Sequence, residues 1–64
     1  MANYTKQLKK QLLEIGCFFD RQGKGDHEIW FSPITQIRFV VDNHIKSRHT
    51  ANAVLKQAGL PKQY

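Results

Sequence analysis

His27 is the residue of this 64-residue chain best placed for chemistry. It follows the turn-like stretch Gly23-Lys24-Gly25-Asp26 and opens the run His27-Glu28-Ile29-Trp30-Phe31-Ser32. A free imidazole titrates near pH ~6.5, so it gives or takes a proton at neutral pH. Lys24 sits on the turn and Arg21 just before it. In a tight hairpin Arg21 and His27 come within side-chain reach. A histidine beside two cations, open to a phosphodiester, has the parts of a ribonuclease site. The imidazole would take the proton of a ribose 2′-OH or give one to the leaving 5′-oxygen. The cations would hold the phosphate and oppose its growing charge. The plainer alternative is a surface histidine in a turn.

Other residues are weaker candidates. Lys46, Arg48 and His49 crowd the start of a second helix, where free N–H groups and the helix dipole favour anions. Lys46 and Arg48 are expected to bind the RNA backbone. His44 and His49 read as surface or capping residues. Lys6, Lys9 and Lys10 form the wet side of the first helix, with RNA contact as the alternative. Asp26, His27 and Glu28 do not read as a metal cluster, because strand alternation turns Glu28 away from His27. Glu28 is a possible partner contact. So is Trp30, which is expected to be partly exposed, with Ile29 and Phe31 facing the core. Cys17 reads as a small buried apolar residue with no base beside it.

These side chains need a scaffold. Tyr4, Leu8, Leu12 and Ile15 recur at helical spacing, with Leu13 widening the stripe, which predicts a helix over 4–15 closed by Gly16. Residues 17–22 and 27–32 read as two strands joined by the glycine turn. Pro33-Ile34-Thr35 makes the next turn, and residues 36–41 read as a third strand. Its Ile37, Phe39 and Val41 share one face, with Arg38 and Val40 on the other. A loop over 42–46 leads to a helix over 48–58. Ser47 or Thr50 is its N-cap, and Gly59 and Pro61 end it. Lys62-Gln63-Tyr64 read as loose. The class is α+β: one α-β-β-β-α domain over residues 1–64, a three-stranded antiparallel sheet with both helices on one face.

Ten Lys and Arg against five Asp and Glu leave a net charge of +5. On so small a surface that excess favours polyanions. A chain of this length has room for a single domain, and its core supplies only about 3–5 kcal/mol. A partner protein that adds burial is therefore expected. One cysteine makes no internal disulfide, which suggests a reducing, cytoplasmic setting. The start, Met1-Ala2-Asn3-Tyr4-Thr5-Lys6, lacks the apolar region of a signal peptide, and no apolar run is long enough for a membrane span.

Gly25-Asp26-His27-Glu28-Ile29-Trp30, and the later stretch from Ile45 through Leu55-Lys56-Gln57-Ala58-Gly59-Leu60, resemble the HicA family of bacterial toxins. The opening helix, Gly16 and Arg21-Gln22 fit as well, so the resemblance covers nearly the whole chain. It implies a fold like that of double-stranded-RNA-binding domains. It implies an mRNA interferase that cuts RNA, arrests translation in the bacterial cytoplasm and is held inactive by a HicB antitoxin. The family's functional histidine lies in a Gly-x-His turn, which here is His27. The usual wording there is Gly-Ser-His, whereas this chain has Asp26. The resemblance brings no metal ligand, so no cofactor and a metal-independent endoribonuclease are expected. Two readings without catalysis stand beside it: an RNA-binding module, and a basic regulatory subunit for an acidic protein.

Overall fold

The computed structural model describes residues 3–64, so the Met1-Ala2 part of the leader reading lies outside the described residues. The elements follow in the order α1 (Thr5–Glu14), β1 (Phe18–Gln22), β2 (His27–Ser32), β3 (Ile37–Asp42) and α2 (Arg48–Ala58). The three strands form an antiparallel sheet in the order β1-β2-β3. α2 packs on β3 and β2, and α1 packs on α2. The architecture is the α-β-β-β-α arrangement that the sequence predicts, with strand bounds displaced by at most one residue.

Glycines set the ends of both helices. After α1, Gly16 takes φ +92°, its N–H bonds to Leu13 O and that of Cys17 to Leu12 O. After α2, Gly59 takes φ +97°, with matching bonds from Gly59 to Lys56 and from Leu60 to Leu55. Both are Schellman closures, which satisfy the last free carbonyls of a helix. Ser47 is the N-cap of α2, and its side chain accepts from His49 N–H; Thr50 lies inside the helix.

The core joins Leu8 and Leu12 of α1, Cys17, Trp30 of β2, Phe39 and Val41 of β3, Ile45, and Ala51, Val54, Leu55 and Ala58 of α2. Cys17 is buried, as expected. Three readings are corrected. Trp30 is only 4% exposed, opposite Phe39 on the face beneath the helices, so Ile29 and Phe31 point the other way. Three consecutive apolar residues leave the phase of β2 ambiguous. The phase is settled by Ser32, buried on the same face, whose hydroxyl donates to Ala58 O at 2.7 Å. Leu13 does not extend the buried stripe of α1; it is 60% exposed. The C-terminal residues are docked rather than loose. Tyr64 packs against Tyr4 with ring centroids 4.9 Å apart and the rings tilted by 59°, and donates its hydroxyl to Gln11 Oε1. Its N–H and that of Gln63 donate to Asn52 Oδ1.

Candidate functional site

Alternation divides the sheet into a helix-covered face and an open one. His27, Ile29 and Phe31 of β2 share the open face with their partners Asp42, Val40 and Arg38 of β3. Phe18 of β1 pairs with Phe31, ring centroids 5.5 Å apart, and Arg21 pairs with Ile29. A bulge between Phe19 and Arg21 shifts the β1 register. Because Arg21 lies opposite Ile29, it sits on the diagonal from His27, a separation a long side chain bridges. Lys24 stands on the exposed turn, where its carbonyl accepts from His27 N–H at 3.1 Å.

The turn that carries His27 is fastened from both sides. Gly25 adopts φ +61°, open space surrounds it, and the Gln22 amide donates to Gly25 O and His27 O at 3.0 Å each. From across the sheet, Asn43 Nδ2 donates to Asp26 O at 2.7 Å. The His27 side chain remains 51% exposed, and its Nε2 lies 3.5 Å from Asp42 Oδ2. Asp42 was not foreseen. Its placement depends on strand register, which brings together residues fifteen positions apart in sequence. The flanking carboxylates do not crowd His27. Asp26 faces His44 instead, at 3.7 Å.

Glu28 points to the helix side, as alternation requires. It accepts from Trp30 Nε1 at 2.9 Å and pairs with Lys9 at 3.1 Å. Partial burial raises its carboxyl pKa. The hydrogen bonds from Trp30 and Lys9, the Lys9 charge and the bond from Asn43 outweigh burial and hold it below 4.5. Expected as partner contacts, Glu28 and Trp30 thus satisfy each other beneath the sheet, and the Trp30 ring is not free to stack on a base. Lys9 also donates to Asn43 Oδ1 at 2.7 Å, and with Asn3, Thr5 and Lys6 these residues line a groove beside the His27 end.

Lys46 and Arg48 are exposed on the loop after β3 and at the first position of α2. Buried Ile45 anchors this loop: its N–H donates to Thr5 Oγ1, and its carbonyl accepts from Tyr4 N–H. Asn43 ties the same loop to the Asp26 turn, so both cationic groups flank one end of the sheet. Among the described residues no ion pair links Lys46 or Arg48 to another side chain, and no three His, Cys, Asp or Glu residues converge as a metal site. Arg38 is a further open-face cation. It lies over Phe31 at 5.6 Å and pairs with Asp20 at 3.1 Å. Its alternation with Phe39 was the signal that put it on this face.

A small basic α-β-β-β-α protein with an exposed imidazole at one end of an uncovered sheet face fits the class of RNA-acting domains. A family model described as HicA toxin of bacterial toxin-antitoxin matches residues 5–60, and the chain belongs to that family. It is therefore a toxin of a toxin–antitoxin module, a family whose members are generally ribonucleases, with RNA as substrate and an antitoxin as partner. Neither a curated protein nor a solved structure matches the chain. No helix among the described residues is long and apolar enough to cross a membrane.

Proposed function

We propose that this chain is a metal-independent endoribonuclease that cleaves mRNA and arrests translation, with His27 as a general acid/base. The observation that carries this reading is the placement of His27. Its ring is half exposed at the rim of the open sheet face, with Asp42 beside Nε2 to hold it. The surrounding elements leave one side free for a phosphodiester. Arg21 and Lys24 contact the reacting phosphate and stabilise its developing charge. Lys46 and Arg48 hold the RNA backbone on either side of it.

A HicB-type antitoxin silences the enzyme by covering the basic face and His27. The open face supports this, since Phe18 and Val40 expose nearly half their surface there. Such residues on a small protein mark an interaction surface.

The test uses purified chain and a defined RNA with chelator present, comparing wild type with His27→Ala. Wild type is expected to cut, and the variant to bind RNA with a similar affinity while cleaving about 10²–10⁴-fold more slowly. Undiminished cleavage by His27→Ala would remove the role assigned to it. RNA that is bound but left intact by wild type would favour a binding module.

A further inference from the structure

The end of the sheet that carries His27 holds a second imidazole that the mechanism above leaves unused. Asp26 is the last turn residue before His27, which opens β2, while Asp42 closes β3 two residues before His44. Each segment lends its carboxylate to the other's ring. His27 Nε2 is 3.5 Å from Asp42 Oδ2, and His44 Nε2 is 3.7 Å from Asp26 Oδ2. Side chain to backbone bonds tie the two segments together: Asn43 Nδ2 donates to Asp26 O at 2.7 Å, and His44 N–H donates to Asp42 Oδ1 at 2.8 Å. The Asp42 carboxylate therefore touches both histidines, one through its ring and the other through its main chain. The His44 side chain is 64% exposed and, like that of His27, open to a substrate.

We propose that His44 is the general acid of the cleavage reaction and His27 the general base. This rests on the reading of the chain as a ribonuclease. The 2′-oxygen bonds to phosphorus as its proton passes to His27. The bond from phosphorus to the 5′-oxygen breaks, and that oxygen takes the proton of the His44 imidazolium. The products are a 2′,3′-cyclic phosphate and a 5′-hydroxyl, and proton exchange with solvent resets both rings. A lone histidine would have to serve both oxygens in turn. Two rings, one at the start of β2 and one in the turn after β3, serve them together, with Asp26 as counter-ion to His44 in its charged form.

The experiment compares an RNA that wild type cuts with the same RNA carrying sulfur in place of the 5′-bridging oxygen at the cut. A thiolate leaves without being protonated, so the acid is no longer needed. His44→Ala is expected to slow cleavage of the oxygen RNA by about 10²–10⁴-fold, and to leave the sulfur RNA near the wild-type rate. His27→Ala slows both. His44→Gln, with melting temperature measured for each variant, gives the same pattern where the alanine variant is unstable. Equal slowing of both substrates by either His44 variant, or an unchanged rate on the oxygen RNA, overturns the assignment. Loss of cleavage with His27→Ala but none with His44→Ala overturns this assignment alone. A wild-type chain that cuts no RNA overturns the ribonuclease reading and the assignment with it.

Discussion

An imidazole is an efficient acid or base only when it is both accessible and held, and in the role proposed for His27 these demands fall to different neighbours. The turn keeps the ring exposed, and the Asp42 carboxylate lies 3.5 Å from its Nε2. Asp42→Asn keeps an acceptor for His44 N–H but loses the charge facing the His27 ring. It is expected to lower kcat with KM unchanged, by less than the roughly 10²-fold that losing a general acid or base costs. Steady-state kinetics on a defined RNA checks this, and an effect on KM alone would contradict it. Glu28 has a different task. Its pKa is lowered in the folded chain, so its contribution to stability is complete above the unfolded value and lost as pH falls through the folded one. Glu28→Gln should therefore show a shallower loss of stability than wild type on acidification below pH 4.5. Denaturant midpoints across that range measure it.

At the scale of elements, the hairpin between β2 and β3 fastens the end of α2. Ser32 Oγ donates to Ala58 O, Thr35 Oγ1 donates to Gln57 O at 2.8 Å, and Gly59 passes beneath Ile34. A Cβ on Gly59 would stand 2.7 Å from Ile34 Cγ2, in a backbone conformation that already disfavours side chains. Gly59→Ala is expected to destabilise by about 1–3 kcal/mol, which in a chain of this size is a fall in Tm of several degrees. Gly16→Ala serves as the control. Its φ is similar, but its Cβ would meet Pro33 at 3.4 Å, an ordinary contact, so its loss should be smaller. Equal losses in thermal melts would mean that the hairpin yields without cost. The composition of this joint was legible only in part. Gly59 was readable as a helix stop, but its approach to Ile34 brings together residues far apart in the chain.

At the scale of the molecule, charge and exposed apolar surface fall on one protein small enough to use both. β1 is an edge strand whose two phenylalanines, Phe18 and Phe19, are each 48% exposed. α2 packs over β3 and β2, and β1 presents these two rings to solvent. RNA affinity should fall steeply with salt. With Arg21, Lys24, Lys46 and Arg48 on phosphates, log K against log salt should have a slope of about −3, and Lys46→Ala should make it shallower by about 0.7. Fluorescence anisotropy at several salt concentrations reads both. A slope unchanged by Lys46→Ala would take Lys46 off the RNA path.

Local pattern was enough for the order of elements. Helical spacing at Leu8 and Leu12, glycines after each helix, and turn residues between apolar runs are short-range signals, and the structure follows them. The position of His27 at the turn was legible for the same reason, since the turn and the cations Arg21 and Lys24 lie within seven residues of sequence. Whatever depends on strand register was not. Ile29, Trp30 and Phe31 are all apolar, so only Phe39 opposite and the bond from Ser32 to α2 decide which of them is buried. The same register carries Asp42 to His27, and the tie from Asn43 to Asp26 carries His44 to its carboxylate. Sequence periodicity assigns a residue to an element. Which charged groups meet at the end of a sheet follows from how the strands pair and where the loops between them are anchored.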